Sequence, residues 1–398
     1  MIILTQNQSK GLDTVIQRYR DGEKYTTIGG YAGSGKSTLI KFIVNALANE
    51  DDIDPDVDIA YACYCGKAVQ VLIDKGNENA LTLHKLLYRA IPLPDGTFHF
   101  RPKETLEYKV IIVDEVSMVP QEFVDLLLSY NAYIIFCGDP GQLGAVQGKG
   151  NRLLEHPHVF LYEIMRQAQE SGIIQLSMLI REGKDFSNFK SQDALVFPQK
   201  SLTTGMLSWA DQIICATNAT RKNLNAQSRE LREYEKPIEE GEKLICLNNE
   251  WSTLGDHGNA LTNGVIGTFS NIFETWQYYP PYLDVKDNKV ILMGGKFVSN
   301  TGESYGNLLL DKQCILTGDP YLDGKQKYRI KKIKKYKDTI PFEFTYSYAV
   351  TCWKFQGSSD KNILGIEEKF PFDKKEHKKY LYTMVTRAED KCVLIANS

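Results

Sequence analysis

The chain of 398 residues is too long for one ordinary hydrophobic core, so two or three domains are expected. Apolar residues make up 42% of it and charged residues 24%, which is the composition of a soluble globular protein. The net charge of −3 argues against a uniformly basic nucleic-acid-binding coat, so any such site should be a local basic track.

The eight cysteines are scattered, and only Cys63 and Cys65 lie close together. Because no C-x₂-C pairs occur, no zinc site is expected, and the pattern indicates a reducing compartment. The sequence turns polar directly after Leu4, and no apolar run is long enough to span a membrane. We therefore expect a cytoplasmic protein without membrane contacts, and the compact size of the chain indicates a bacterial or phage-encoded protein. Four further cysteines lie in apolar runs and are predicted to be buried: Cys137, Cys215, Cys246 and Cys392.

After a first predicted helix that begins near Thr5, the stretch Gly30–Thr38 fits the phosphate-binding loop G-x-x-x-x-G-K-[ST]. A β-branched and aromatic segment precedes it, and apolar residues at helical spacing follow. Glycines let the backbone N–H groups turn toward phosphate oxygens at a helix N-terminus. Lys36 can reach the β- and γ-phosphates, and the Ser37 hydroxyl can hold Mg²⁺. The loop predicts binding of a nucleoside triphosphate.

Strands and helices then alternate, which predicts a doubly wound parallel sheet. One interruption, Ile91 to Pro102, carries three prolines and an Asp95-Gly96 turn and is predicted to be an inserted hairpin. The predicted strands are 57–62, 110–113 and 132–137, and the predicted helices are 68–73, 82–87, 123–129 and 173–180.

The sequence pattern changes twice in the second half of the chain. Strand 212–217 continues the alternation, and residues 241–340 then show short strands, glycine turns and aromatics, which indicate an all-β, barrel-like insertion. Segments 344–350, 362–365 and 391–396 are predicted to be strands of a second parallel sheet.

Polar residues at the ends of the predicted strands suggest an ATPase site. Asp114 and Glu115 follow a strand predicted to be buried on both faces; Asp114 suits the Mg²⁺ shell, and Glu115 suits the attacking water. Gln142 follows the next strand, where it could sense the γ-phosphate. Hydrolysis needs positive charge for the transition state, and Arg166 and Arg387 are the candidates.

In order, these residues resemble the motifs of superfamily-1 helicases of the RecD-like and Dda-like branch. The matching stretches cover nearly the whole chain: Gln8 in Leu4–Gln8 (Q motif), Gly30–Thr38 (motif I), Val113–Glu115 (motif II), Gly138–Leu143 (motif III), Arg166-Gln167 (motif IV), Thr351–Ser358 (motif V) and Tyr382–Ala388 (motif VI). The chain departs from the family at Cys65, where motif Ia usually has threonine, and at Trp353 and Phe355 in motif V.

The resemblance implies an α/β fold of two RecA-like parallel-sheet P-loop domains, with a small β-hairpin insertion and an SH3-like barrel insertion. ATP, with Mg²⁺ on Ser37 and Asp114, would bind between the two domains. The implied boundaries are 1–84 and 106–180 for the first domain, 85–105 for the hairpin, 181–240 and 341–398 for the second domain, and 241–340 for the all-β insertion.

The resemblance also implies two sets of ligand-binding residues. The hairpin matches a strand-separating pin, with Phe98 or Phe100 at the fork, although hairpin packing is the alternative. The implied nucleotide-binding residues are Gln8, Gly33, Ser34, Gly35, Lys36, Ser37, Thr38 and Gly357. The implied DNA-binding residues are Lys67, Thr82, His84, Phe98, Asn263, Thr351 and Lys354.

The expected function is an ATP-dependent DNA helicase that moves 5′ to 3′ on single-stranded DNA and acts as a monomer on forked duplex, with single-strand-binding or replication proteins as partners. A nucleic-acid-stimulated ATPase that displaces bound proteins, or a subunit of a larger recombination or nuclease complex, is the alternative. Two features stay open between a binding role and a structural one: the basic run Lys325–Lys337 and the aromatic cluster Trp276–Tyr282.

Overall fold

The computed structural model describes residues 3–50, 53–74, 76–77, 79–92, 98–145, 149–370 and 373–397. The strands are β1 (Tyr25–Gly30), β2 (Ile59–Cys63), β3 (Ala80–Thr82), β4 (Tyr88–Pro92), β5 (Phe98–Pro102), β6 (Val110–Val113), β7 (Tyr133–Gly138), β8 (Val159–Leu161), β9 (Ala194–Pro198), β10 (Gln212–Cys215), β11 (Lys243–Cys246), β12 (Glu250–Leu254), β13 (Ala260–Leu261), β14 (Ile266–Tyr278), β15 (Lys289–Ser299), β16 (Ser304–Asp311), β17 (Phe344–Tyr346), β18 (Ala349–Thr351), β19 (Asp360–Ile366) and β20 (Ala388–Ala396). The α-helices are α1 (Gln6–Arg20), α2 (Lys36–Leu47), α3 (Pro55–Asp58), α4 (Gly66–Asp74), α5 (Leu83–Leu87), α6 (Gln121–Ser129), α7 (Arg166–Gln169), α8 (Gly172–Glu182), α9 (Thr204–Trp209), α10 (Asn218–Glu230), α11 (Lys312–Thr317), α12 (Gly324–Lys331) and α13 (Lys374–Val385).

The chain divides into two compact units. The first contains Met1–Arg89, Pro102–Thr203 and Phe355–Ser398, and the second contains Ala90–Arg101 and Thr204–Lys354. Among the described residues, no helix is both long and apolar enough to cross a bilayer.

The first unit contains a six-stranded sheet in the order β3-β2-β6-β7-β1-β8, and its neighbouring strands are parallel. Strand β6 is buried along its whole length, as its continuous apolar run predicts. Val110 and Ile112 face one hydrophobic core with α1 and α2, whereas Ile111 and Val113 face the other core with α5 and α6. This confirms the predicted parallel sheet with helices on both faces.

The strand order places three strand ends side by side. Strand β7 pairs with both β1 and β6, so the loops after these strands share one edge of the sheet. The loop after β1 is the phosphate loop, the residues after β6 are Asp114 and Glu115, and the loop after β7 contains Gln142. Ligands bind at this carboxyl edge in open α/β sheets.

The first unit contains three more parallel strands, and two of them, β19 and β20, come from the last part of the chain. β19 pairs in parallel with β20, and β20 pairs in parallel with β9. Helix α13 packs on α8. Strands β19 and β20 confirm the predicted strands, whereas β8 and β9 have no counterpart in the sequence prediction.

The second unit contains a parallel strand pair and an antiparallel sheet. β10 pairs with β18, and the buried Asn225 amide of α10 bonds both the N–H and the C=O of Ala349. The antiparallel sheet has the order β16-β15-β14-β11-β17. A bridge from Leu310 to Phe342 brings its two edges together, as expected of the predicted barrel-like insertion.

Three predicted elements differ from the structure. Residues 57–58 belong to α3, because Asp54 caps a helix that begins at Pro55, and the strand starts only at Ile59. The predicted strand 344–350 is two strands: β17 pairs antiparallel with β11 in the insertion, and β18 pairs with β10. The insertion is not all-β, since it also contains α11 and α12, each capped by an aspartate side chain.

The predicted hairpin is present as the strand pair β4 and β5. Its predicted Asp95-Gly96 turn lies outside the described residues. At its base, the Tyr130 hydroxyl donates to the carbonyl oxygen of Lys103 at 2.7 Å. The four cysteines predicted to be buried are all buried.

Candidate nucleotide site and predicted DNA contacts

The phosphate loop joins β1 to α2, as its pattern predicts. Gly33 and Gly35 adopt left-handed backbone angles, with φ of 76° and 79°. A Cβ at Gly33 would lie 2.8 Å from the Ala168 Cβ, and a Cβ at Gly35 would collide with the Gln8 amide. Glycine is therefore required at both positions by backbone angle and by space. This curled backbone at a helix N-terminus fits a chain of phosphates, and the loop is a nucleotide-binding loop.

The functional side chains of the loop lie beside it. The Lys36 ammonium donates to the carbonyl oxygens of Gly30 at 2.6 Å and of Tyr31 at 3.2 Å. Ser37 is exposed at the first turn of α2, and Ser34 is buried, with no hydrogen-bond partner for its hydroxyl among the described residues. The ammonium and the loop N–H groups can donate hydrogen bonds to phosphate oxygens, and the oxygen of the exposed hydroxyl is a ligand that suits Mg²⁺.

Asp114 and Glu115 occupy the end of β6. The Asp114 carboxylate accepts a 2.8 Å hydrogen bond from the Glu115 N–H. Glu115 has φ 51° and ψ 41°, a left-handed conformation that costs a non-glycine residue about 1–3 kcal/mol. Strain of this kind persists where surrounding contacts fix the backbone, and it is concentrated at functional sites.

Glu115, Gln142 and Arg387 form one cluster. With the Gln142 amide oriented for hydrogen bonding, its nitrogen donates to Glu115 Oε2 at 3.2 Å and its oxygen accepts from Arg387 Nη2 at 3.0 Å. Arg387 Nη1 lies 3.9 Å from Glu115 Oε1. Arg387 is only 6% exposed, so its charge acts in a poorly screened environment. The structure therefore brings together three of the six predicted catalytic residues around one point.

Two main-chain bonds orient the Arg387 guanidinium. Its Nε donates to the Thr383 carbonyl at 3.2 Å, and its Nη1 donates to the Ser358 carbonyl at 3.3 Å. Ser358 belongs to motif V and Thr383 to motif VI, so both motifs fix the direction of the arginine.

The loop after β7 is held by side chains that the sequence prediction did not assign a role. The Tyr382 hydroxyl donates to Asp139, and the Leu143 N–H donates to the Thr383 hydroxyl at 2.9 Å. Gln356 donates to the Leu143 carbonyl at 2.9 Å. These side chains lie within the family motifs, and the motifs could have indicated that they are functional. The spacing of the motifs, however, does not predict which of these residues contact one another.

Gln8, the predicted adenine reader, is buried in the structure. Its amide oxygen accepts from the Thr5 N–H at 3.0 Å and completes a capping box on α1. Its amide nitrogen donates to the Gly35 carbonyl at 3.3 Å and lies 3.7 Å from the Met165 sulfur. Gln8 thus joins α1 to the phosphate loop, and its adenine-reading role stays a prediction.

Arg166, the second predicted arginine, begins α7, and its side chain lies outside the described part of the chain. The preceding residue, Met165, donates its N–H to the Gly33 carbonyl at 3.0 Å. The backbone at Arg166 is therefore tied to the phosphate loop.

Thr82 and His84 are two of the three predicted DNA-binding residues in the first unit. The Thr82 hydroxyl caps α5 and accepts from the Lys85 N–H at 3.2 Å. The ring centroids of His84 and Phe123 lie 4.8 Å apart, and burial lowers the pKa of His84. His84 is therefore predominantly neutral at pH 7, suited to stacking or hydrogen bonding but not to ion pairing with phosphate.

The second unit contains four predicted DNA-binding residues, and the side chains of three of them are described: Asn263, Thr351 and Lys354. Asn263 is exposed, whereas Thr351 is buried at the end of β18. Burial, with a smaller contribution from the charge of Arg221, lowers the pKa of the Lys354 ammonium to about 8. A cation that is costly to bury gains from a phosphate partner.

The remaining predicted residues divide into two groups. The side chains of Lys67 and Phe98 lie outside the described residues, although both backbones are described in α4 and β5. Gly357 has φ 72°, and a Cβ there would lie 2.7 Å from the Cys65 sulfur. The structure thus places Gly357 against Cys65 of motif Ia, and its contact with the nucleotide stays a prediction.

The aromatic cluster Trp276–Tyr282 separates into core and surface. Tyr279 is buried and packs with α12, whereas Trp276, Tyr278 and Tyr282 are exposed. The basic run forms α12 and the turn after it, with Ile330 buried beneath. Four lysines of this run form two pairs of neighbours, and all four are exposed: Lys331, Lys332, Lys334 and Lys335.

Replacing these four lysines with Ala should weaken single-stranded DNA binding only if the run contacts the strand. Each lost phosphate contact would then reduce the slope of log Kd against log salt by about 0.7. The matched control replaces four exposed lysines of the first unit, Lys190, Lys200, Lys374 and Lys375, which changes the net charge equally. Equal slopes for wild type, test and control would mean that the run is a solvated surface.

Comparison with known proteins shows two matching families. Residues 4–195 match an AAA domain, and residues 346–395 match a UvrD-like helicase C-terminal domain. The ATP-dependent DNA helicase Dda of Enterobacteria phage T4 is 28% identical over 193 residues, which is 46% of this chain. The matched stretch spans 43% of that protein, less than half of its length.

Solved structures share the fold over the whole chain. The Pif1 helicase of Candida albicans is 16% identical with a TM-score of 0.52, covering 100% of this chain and 95% of that one. The Bacteroides Pif1 helicase in complex with ADP-AlF3 and single-stranded DNA is 16% identical with a TM-score of 0.53, covering 100% and 93%. With an AAA domain at its start and a UvrD-like helicase C-terminal domain at its end, the chain resembles the superfamily-1 helicases, among them Dda, and it shares its fold with the Pif1 helicases.

Proposed function

We propose that the protein is an ATP-dependent DNA helicase that moves 5′ to 3′ along single-stranded DNA and unwinds duplex. The observation that supports the ATPase activity is the cluster of Glu115, Gln142 and Arg387 at the sheet edge that carries the phosphate loop. The DNA substrate and the direction rest on the motif resemblance and on the relatives, whose names include DNA helicase and single-stranded DNA.

Each residue at the nucleotide site has a distinct proposed task. Lys36 leaves its carbonyl partners to contact the β- and γ-phosphates. Ser37 and Asp114 would hold Mg²⁺, which neutralises phosphate charge when bound. Glu115 accepts the proton of the attacking water, and Gln142 orients that water. Arg387 and Arg166 stabilise the charge that develops on the transferring phosphoryl group.

Gln8, Gly33, Ser34, Gly35 and Thr38 complete the proposed nucleotide site together with Gly357. DNA would be gripped through its backbone, because phosphate contacts give affinity without sequence selection. The proposed contacts are Lys67, Thr82, His84, Asn263, Thr351 and Lys354. The protein would act as a monomer, in the bacterial cytoplasm if it is phage-encoded like its T4 relative, alongside single-strand-binding or replication proteins.

Strand displacement tests this proposal directly. Purified protein with ATP and Mg²⁺ is offered duplexes that carry a 5′ tail, a 3′ tail or no tail. We expect unwinding of the 5′-tailed duplex and no unwinding with Lys36→Ala. Unwinding from the 3′ tail alone would overturn the direction, and DNA-stimulated ATP hydrolysis without unwinding would support the alternative of a protein-displacing ATPase.

Substitutions in the hairpin distinguish a helicase from a protein-displacing ATPase. Phe98→Ala, and separately Phe100→Ala, should reduce unwinding sharply and leave DNA-stimulated ATP hydrolysis near normal. A ring stacked on the last base pair is worth about 1–3 kcal/mol, comparable with about 1.4 kcal/mol for one base-pair step. Walking along single strands does not use that contact.

Both rates are measured on the same preparations, with Tyr282→Ala as the control for loss of an exposed ring elsewhere. Equal loss of unwinding and hydrolysis in the two hairpin variants would mean that the hairpin is structural. Full unwinding by both would remove the pin from the mechanism.

A further inference from the structure

One hydroxyl joins the phosphate loop to the loop after β7. The Tyr382 oxygen accepts a hydrogen bond from the Ala32 N–H at 2.8 Å and donates one to Asp139 Oδ2 at 2.6 Å. A phenol can donate one hydrogen bond while it accepts another, so both contacts exist together. Tyr382 and Asp139 are each only 1% exposed, and water cannot replace either bond.

The surroundings fix this bridge in place. A Cβ at Gly141 would lie 3.0 Å from the Tyr382 ring, so glycine permits the close approach of the ring. The Gly141 N–H donates to the other Asp139 oxygen at 2.8 Å, which holds the carboxylate. Burial raises the pKa of Tyr382 well above its usual range, so the hydroxyl keeps its proton.

The arginine of the cluster follows the same helix directly. Tyr382 and Thr383 lie in the last turn of α13, and Arg387 follows two residues after the helix ends. Thr383 bonds the Leu143 N–H, while the Arg387 guanidinium reaches Gln142. The last turn of α13 and the two residues after it therefore contact the phosphate loop, the loop after β7 and the cluster of Glu115, Gln142 and Arg387.

We propose that Tyr382 is a positioning residue that sets the distance between the phosphate loop and the Arg387–Gln142–Glu115 cluster. It would not touch the reacting atoms. Its hydroxyl fixes Ala32, a residue of the loop that would carry the γ-phosphate, relative to the groups that act on that phosphate. This role rests on the proposed ATPase function of the site.

Tyr382→Phe removes only the hydroxyl. Tyr380→Phe is a matched control, because Tyr380 lies in the same helix, is fully buried, and donates its hydroxyl to the Ile366 carbonyl at 2.6 Å. We expect Tyr382→Phe to lower kcat for DNA-stimulated ATP hydrolysis about ten- to a hundredfold, since a misplacement near 1 Å has effects of that size. KM for ATP should change less than about twofold, because the other loop contacts remain. Tyr380→Phe should lower the unfolding temperature and leave kcat unchanged.

Asp139→Asn, which alters the acceptor and leaves the tyrosine intact, tests the other end of the bridge. It should reduce kcat in the same way, and the double variant with Tyr382→Phe should be no worse than the poorer single variant. If Tyr382→Phe does not fold, Asp139→Asn alone tests the positioning role. A loss of kcat at constant KM in that variant would support the role. A kcat for Tyr382→Phe equal to that of Tyr380→Phe, or a loss confined to KM, would overturn the positioning role. A wild-type protein without ATP hydrolysis would instead overturn the proposed function.

Discussion

Replacing Arg387 with Ala should lower kcat for ATP hydrolysis by about a thousandfold or more, the size seen when an arginine that stabilises phosphoryl transfer is removed. The guanidinium is buried and lies within 3.0 Å of the Gln142 amide oxygen and 3.9 Å of Glu115. In the proposed role its charge acts on the transition state, so the Kd for ATP should change far less than kcat. Single-turnover hydrolysis with single-stranded DNA, together with equilibrium binding of a fluorescent ATP analogue, measures both quantities.

Two further variants sharpen this test. Arg387→Lys keeps the charge but loses the planar fork that binds the Gln142 amide and the main-chain carbonyls, so it should recover only a small part of the activity. Arg152→Ala removes an arginine whose side chain is 87% exposed and should change nothing. If Arg387→Ala loses affinity and retains kcat, Arg387 is a binding residue. The same measurement on Arg166→Ala tests the resemblance to motif IV.

The backbone of the phosphate loop and the buried strand β6 could be predicted because both are encoded locally. A phosphate loop needs glycine at left-handed angles, and Gly33 and Gly35 adopt those angles. A strand buried on both faces is a continuous apolar run, and the carboxylates after it, Asp114 and Glu115, lie at its carboxyl end. Such features are encoded within a few residues of each other.

Contacts between distant segments could not be predicted in this way. The bridge from Ala32 to Tyr382 joins residues 350 positions apart, and no spacing rule links them. Strand β9 was missed because a short edge strand has little apolar periodicity of its own. These features depend on how the chain folds back, which only the structure supplies.

The insertion was misread for a related reason. Helix α12 lies in a lysine-rich stretch, where only Ile330 is buried, so its apolar stripe is too narrow to show helical periodicity. Asp323 with Gln326 three residues later forms a capping box, and this pattern in the sequence could have indicated the start of the helix. The sequence around Phe344 is compatible with a strand in either sheet, and its pairing with Cys246 and its core contact with Phe297 assign it to the insertion.

Glu115→Gln should reduce ATP hydrolysis about 10²- to 10⁴-fold, the range for loss of a general base, while Mg-ATP binding persists. The substitution keeps the size of the side chain and an oxygen that can accept the hydrogen bond from the Gln142 amide. What it removes is the capacity to take a proton from water. Rapid-quench hydrolysis and filter binding of labelled ATP measure the two effects on one preparation.

The conformation of Glu115 makes this variant a clean one. Its left-handed backbone is strained for glutamate and glutamine alike, so the substitution should leave the folded loop and the unfolding temperature unchanged. Glu122→Gln, an exposed glutamate of α6 that changes the net charge equally, is the control and should be fully active. Turnover retained in Glu115→Gln would place the base elsewhere. A loss of binding together with turnover would mean that Glu115 serves the nucleotide or its metal, because removal of a base alone leaves the ground-state complex intact.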